Sequence, residues 1–344
     1  MKSQKTYVST EIDFERNGKQ IGVFRLPFSS HESAWGVIPI PIGVIRNGSG
    51  PTVLLVAGNH GDEYEGQIAL NKLMRALDPR SVSGRIIFVP SLNYPAAMAG
   101  NRMSPIDNLN LNRVFPGDAQ GSPTLQIAHY VSDVLLPMTD ILIDLHSGGS
   151  SMFALPAMMM YRQNESDRTR KMVETASLFG ADLGVVLDDF GETRTIFALC
   201  RERKILSFGC ELSGGGSVTL PTLRLCETGL RRILVNLGIL ASKAVAKEIL
   251  DVPPKQMRLM EITGPEAFVF AIGTSLFEPN FELGDVIKKG DVAGWEHHLD
   301  EIGRDPVPLH FNKDGIAFAR AQRGRVSPGS ALAVVISEAP EGRS

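Results

Sequence analysis

Short apolar runs that stop at a glycine or a polar residue, separated by stretches with helical spacing, constrain this chain most. "TVLLVAG" (52–58), "GRIIFVPSLN" (84–93), "DILIDLHSGG" (140–149) and "KILSFGCELSGGG" (204–216) each read as a buried strand. Runs this short and this continuously apolar suit strands covered on both faces, as in a mostly parallel sheet. Between them, "EYEGQIALNKLMRAL" puts Ile68, Ala69, Leu73 and Leu77 at helical spacing, and "TLQIAHYVSDVLLPM" reads as a second helix. Residues 166–180 also read as helix, and 222–250 as a helix pair or one long helix. Strands alternating with helices predict an α/β domain with helices on both faces of a sheet.

The flanks differ in texture. The first 45 or so residues read as β-structure that ends in a turn at Asn47–Pro51. Beyond "LDVPP" (250–254), short alternating runs are broken by Gly, Pro and Asp, which predicts a small all-β domain. The expected organisation is an α/β domain over 1–250, with an N-terminal β segment at 1–45, and a β domain over 255–338. Gly-Asp turns such as "LGDVIKKGDVAG" resemble those of a biotinyl/lipoyl-type barrel-sandwich. No lysine occupies a Met-Lys carrier turn there, so no covalently attached cofactor is expected.

Composition narrows the function classes. A net charge of −3 weighs against a nucleic-acid partner, which needs a concentrated basic face. No run of 18 apolar residues occurs, so no membrane span is expected. The first 20 residues are polar and lack the apolar core of a signal peptide. Cys200, Cys210 and Cys226 form no CxxC pair and are odd in number, so they read as reduced, buried thiols of a cytoplasmic protein.

In open α/β sheets, ligands gather outside the carboxyl ends of the strands. His60 lies just past one such end, His146 just past another, and Glu211 at a third. His60 and Glu63 stand three residues apart in "VAGNHGDEYEG", and imidazole and carboxylate both ligate zinc. That spacing alone is a weak signal, equally at home in a helix-starting loop. His146, preceded by Asp144 in "DLHSGG", adds a second histidine at an equivalent position and turns the reading toward a metal.

Together, "GNHGDE", "NLNLNRVFPG" (108–117), "DLHSGG" and "CELSGGG" resemble, in order, the signature elements of the succinylglutamate desuccinylase/aspartoacylase family. These are relatives of the zinc carboxypeptidases. The resemblance spans roughly residues 50–240, and the β tail fits the family's second domain. Within the family, "GNHGDEYEG", "NYPA", "SPID" and "ELSGGGS" are most similar to the Nα-acetyl-diaminobutyrate deacetylases of ectoine breakdown.

The resemblance implies a carboxypeptidase-like mixed sheet and one zinc ion on His60, Glu63 and His146. It implies that Glu211 is the general base, taking a proton from the attacking water and handing it to the departing amine. Asn112 and Arg113 match the pair that grips the substrate carboxylate, and Arg102 matches the arginine that steadies the oxyanion. A guanidinium fork and an amide suit carboxylate recognition. One position departs: Asn110 stands where many members carry aspartate, and an amide orients Arg113 less firmly if that is its role. The implied reaction is hydrolysis of an N-acylated amino acid, most closely Nα-acetyl-L-2,4-diaminobutyrate to acetate and diaminobutyrate. The alternatives are another N-acyl amino-acid deacylase, a carboxypeptidase-like peptidase or, from a different class, a non-catalytic binding protein on the same fold. The expected partner is a small N-acyl amino acid, with neither nucleic acid nor membrane, in a homo-oligomer.

The other histidines read as structural. His129 sits on a helix at the core edge or surface, and His297-His298 in a solvated or rim loop with Asp300 and Glu301. His31 and His310 have no supporting pattern. Met158-Met159-Met160 reads as adaptable packing near a pocket.

Overall fold

A computed structural model describes residues 5–163, 166–187, 192–251 and 256–339. In chain order the first half contains β1 (Gly18–Pro27), β2 (Val37–Asn47), β3 (Thr52–Ala57), α1 (Tyr64–Ala76), β4 (Gly84–Val89), α2 (Tyr94–Ala99), α3 (Pro123–Tyr130) and β5 (Ile141–His146). Then come β6 (Met152–Ala154), β7 (Ala157–Tyr161), α4 (Ser166–Ser177), β8 (Leu183–Leu187), α5 (Ile196–Glu202), β9 (Leu206–Glu211), α6 (Leu220–Asn236) and α7 (Lys247–Asp251). The remainder is β: β10 (Arg258–Ile262), β11 (Phe268–Phe270), β12 (Ser275–Pro279), β13 (Val286–Ile287), β14 (Val292–His297), β15 (Val307–His310), β16 (Gly315–Ala321), β17 (Arg325–Val326) and β18 (Ala331–Glu338).

The large sheet runs β1-β2-β4-β3-β5-β9-β7-β8-β10-β18-β16-β13. Its centre, β4-β3-β5-β9, is parallel, with Val53 opposite Ile141 and His146 opposite Glu211. β7 enters antiparallel to β9 and parallel to β8, which makes the sheet mixed.

Every residue of β3, β4 and β5 is buried, because both faces are covered. Val53, Leu55 and Ala57 of β3 face a core shared with α1, α4 and α6. Leu54 and Val56 face the opposite core, shared with α3, α5 and the β1–β2 hairpin. The two-residue repeat of a strand sends alternate side chains to opposite faces. Each fully buried Leu, Ile or Val contributes roughly 1.5–3 kcal/mol. The helices on both faces therefore follow from the continuous apolar runs.

The strands and helices anticipated from the sequence are present, with 222–250 resolved as the pair α6 and α7. Five elements of the α/β part go beyond that reading: α2, β6, β7, β8 and α5. His146 and Glu211 are the last residues of β5 and β9, and His60 lies in the turn after β3.

β10 pairs in parallel with β8, and β18 antiparallel with β10, so the central sheet continues into the C-terminal part. There β15-β14-β12-β17 form a second, antiparallel sheet. An apolar core of Phe277, Phe281, Phe311, Leu332 and Val335 lies between the two. The boundary expected at 250–254 falls largely outside the described residues. All three cysteines are free and buried. Among the described residues no helix is long and apolar enough to cross a membrane.

Candidate active site

β3, β5 and β9 end at one rim, and the functional side chains collect there. After β3 the chain turns through Gly58–Asp62, and Glu63 takes the N-cap position of α1. Its carboxylate does not cap that helix. The helix is tied down instead by Gln67, whose side-chain amide donates to the carbonyls of Gly61 (3.1 Å) and Glu63 (2.9 Å). Glu63 is thus free to face the two histidines.

His60 Nδ1 lies 2.7 Å from Glu63 Oε1, and His146 Nδ1 lies 2.8 Å from Glu63 Oε2. Arg102 donates to Oε1 (3.2 Å) and the Ser147 backbone N–H to Oε2 (3.2 Å). All three ligand-competent residues are buried. One ligand atom from each of His60, Glu63 and His146 lies within 4.8 Å of the others, the one such group among the described residues.

The outward ring nitrogens are also engaged. His146 Nε2 lies 2.8 Å from Asp144 Oδ2, which Asn59 Nδ2 also reaches at 3.1 Å. His60 Nε2 lies 3.2 Å from Asn110 Oδ1, and that oxygen accepts from the Asn112 N–H (2.9 Å). It is therefore an acceptor. Each imidazole has acceptors at both nitrogens, yet a neutral imidazole has only one N–H. If the N–H groups go to Asp144 and Asn110, both Nδ1 lone pairs confront the Glu63 carboxylate. A cation between them removes that conflict. Metal-binding histidines usually donate their other N–H to a carboxylate or carbonyl in this way. The donor set fits a metal ion.

Burial lowers the His60 pKa and outweighs the upward pull of Glu63, so its ring is neutral at pH 7. Burial acts to raise Glu63, but His60 and His146 outweigh it and hold the carboxyl well below the usual range. For His146 burial acts downward, and Asp144 with Glu63 wins, raising its pKa well above that of free imidazole, so without a cation this ring meets both carboxylates by carrying a proton on each nitrogen, a charge that a metal ion would replace. For Glu211, burial first and the Glu63 charge second outweigh the pull of His146 and Arg102 and push its carboxyl up to about 8.

A cavity of about 200 Å³ opens over these groups. Its wall includes His60, Glu63, His146, Arg102, Asn112, Arg113 and Glu211, so every candidate residue from the sequence meets at one place. Asn112 and Arg113 lie in the short 3₁₀ turn Leu111–Arg113. Asn112 Oδ1 accepts from the Ile196 N–H (3.3 Å) at the start of α5. Arg113 donates to the Asn112 carbonyl (2.7 Å) and pairs with Glu192 (3.6 Å). Asn110 meets His60 and the Asn112 backbone; its side chain orients the histidine.

Nothing in the sequence marks Asn110 as a partner of His60, or Met152, Tyr161, Leu187 and Phe197 as apolar lining. Of the methionine run, Met158 and Met160 are fully buried and Met159 lines the cavity. His129 is buried and pairs with Asp133 (3.7 Å), at the core edge as expected. His297 pairs with Glu278 (2.6 Å) near the surface, and the pair is not part of a converging ligand group among the described residues.

Comparison with known proteins matches this geometry. Residues 49–237 match the family model described as the succinylglutamate desuccinylase/aspartoacylase catalytic domain. The chain is 38% identical over 329 residues to the N-alpha-acetyl-L-2,4-diaminobutyric acid deacetylase of Halomonas elongata, covering 95% of this chain and 94% of that one. A succinylglutamate desuccinylase/aspartoacylase structure from Rhodobacter sphaeroides superposes with a TM-score of 0.90 at 37% identity, covering 98% of this chain and 100% of that one. The product-bound ectoine utilization protein EutE (DoeB) from Ruegeria pomeroyi gives 0.91 at 35% identity, covering 97% and 100%. With its metal-competent triad, its strand-end glutamate and this likeness over nearly its whole length, the chain belongs to the succinylglutamate desuccinylase/aspartoacylase family of deacylases.

Proposed function

We propose that this protein hydrolyses the amide of Nα-acetyl-L-2,4-diaminobutyrate, releasing acetate and 2,4-diaminobutyrate, with one zinc ion on His60, Glu63 and His146. The observation that carries the reading is the convergence of two imidazoles on one carboxylate, with acceptors already on their far nitrogens. The likeness to a deacetylase named for this substrate, and to an ectoine utilization protein, supports the choice of acyl amino acid. Two nitrogens and a carboxylate suit zinc, which leaves a position open in catalytic sites. When bound, such an ion supplies a Lewis acid for the carbonyl and lowers the pKa of water.

The chain's own residues do the rest. Glu211 takes a proton from the attacking water and returns it to the departing amine. A carboxyl raised to about 8 exchanges protons near neutral pH, where general acid–base catalysis is most effective. Arg102, already beside Glu63, directs its guanidinium charge at the developing oxyanion. Asn112 and Arg113 hold the α-carboxylate and so fix which carbonyl is presented. We also assign the C-terminal strands a barrel-sandwich-like arrangement bordering the mouth of this site.

The test is direct. Purified protein should contain one zinc per chain and release acetate from Nα-acetyl-diaminobutyrate, and chelator should abolish release. Zinc without acetate release would overturn the substrate. Absence of metal from protein prepared with ample zinc would overturn the hydrolase reading.

A further inference from the structure

Catalytic groups account for only part of the cavity wall. The remainder is the buried thiol of Cys210 and an apolar and aromatic surface of Met152, Met159, Tyr161, Leu187 and Phe197. β7 explains part of this, since Met159 and Tyr161 are two residues apart and share a face, while Met158 and Met160 point into the cores. The rings of Tyr161 and Phe197 lie with centroids 5.7 Å apart and planes inclined by 32°. Phe197 follows Ile196, whose N–H is bonded to Asn112 Oδ1. The aromatic pair is therefore fastened beside the Asn112–Arg113 turn, on the side of the site that holds the amino-acid half of the substrate.

The carboxylates in that wall are Glu63 and Glu211. Glu63 is occupied by His60, His146, Arg102 and the Ser147 N–H, and Glu211 is assigned to proton transfer. Among the described lining residues, the electron-rich surface left for a cation is aromatic. A ring face attracts an ammonium group within about 6 Å, most strongly where water is excluded. Met159 and Leu187 supply apolar contact for a short methylene stem.

We propose that Tyr161 and Phe197 form the side-chain subsite, and that they select a short side chain ending in an ammonium group. This rests on the N-acyl amino-acid reading above and specifies how the amino acid is chosen. The probe pair is Nα-acetyl-L-2,4-diaminobutyrate and Nα-acetyl-L-norvaline, in which a methyl group replaces the ammonium at nearly equal size. The wild-type protein should favour the cationic substrate in kcat/KM by roughly 3- to 30-fold, expressed mainly in KM. Phe197→Leu and Tyr161→Leu should bring that ratio toward one, and Tyr161→Phe, which keeps a ring, should preserve it.

Equal wild-type rates on the two substrates would overturn the subsite while leaving the deacetylase reading intact. A preference that survives both leucine substitutions would overturn it as well. If wild-type protein containing zinc hydrolysed neither compound, the reaction itself would be wrong and the subsite with it. The wild-type ratio needs no variant to fold, so a poorly folding substitution does not shield the proposal.

Discussion

Glu211 is under two opposing demands. As the proposed acid–base group it must give and take a proton near neutral pH, from a site where its charge is unfavourable. Its carboxyl is raised from 4.5 to about 8, so the folded, metal-free protein retains a proton that the unfolded chain has released across that window. Stability of the metal-free form therefore falls as pH rises from 4.5 toward 8. Glu211→Gln should reduce kcat by roughly 10²–10⁴-fold, the usual worth of a general acid–base group, with metal content unchanged. The same variant should melt at a higher temperature than its parent at pH 8 when both are stripped of metal, and the gap should close below pH 4.5. Calorimetry across that range, beside steady-state kinetics, checks both halves. At this scale, His60, Glu63, His146 and Glu211 were readable from the sequence because each sits at or just past the end of an obvious strand. The Asn110–His60 contact was not, because it joins residues 50 apart through a loop with no periodicity to place it.

Among the elements, α2 is the one whose position is set most rigidly by the metal-competent turn. A Cβ at Gly61 would lie 2.1 Å from the carbonyl carbon and 2.3 Å from the carbonyl oxygen of Ala96, which are backbone atoms of that helix. No side-chain rotation relieves such a contact. Gly61→Ala should displace α2 and, with it, Arg102 just beyond its end. Overpacking of this kind costs about 1–3 kcal/mol, so the protein should still fold. The expected signature is weakened zinc retention in a dialysis competition and a fall in kcat, with only a modest drop in melting temperature. β7 and β8 escaped notice in the sequence for a related reason. "AMMMY" has no β-branched residue and "LGVVL" is interrupted by a glycine, each is five residues long, and their identity as strands comes from their neighbours in the sheet.

For the whole molecule, the α/β and all-β textures were legible, but their fusion was not. Alternation identifies a strand, whereas pairing of β10 with β8 joins residues about 75 positions apart and leaves no local trace. A shared core crosses the junction, with Ala154, Ala157 and Val185 packed on Met260, Phe318 and Ile336. Heating should therefore produce one cooperative transition, with calorimetric and van't Hoff enthalpies in agreement. Two separated transitions would show that the C-terminal strands fold as an independent unit.

The continuity of the sheet also bears on traffic through the site. β6, whose Met152 lines the cavity, is hydrogen-bonded to β16, and β16 to β18, which returns to the central sheet through β10. Hydrogen-bonded strands offer no hinge, so the mouth cannot open by one half swinging from the other. Along that seam, among the described residues, the cavity is bordered by side chains on a continuously paired backbone. Side-chain rotations occur in picoseconds to nanoseconds, whereas domain closure takes microseconds to milliseconds. At Met152, therefore, the motion this seam leaves available is the fast rotation of a side chain, not the swing of one half of the sheet against the other.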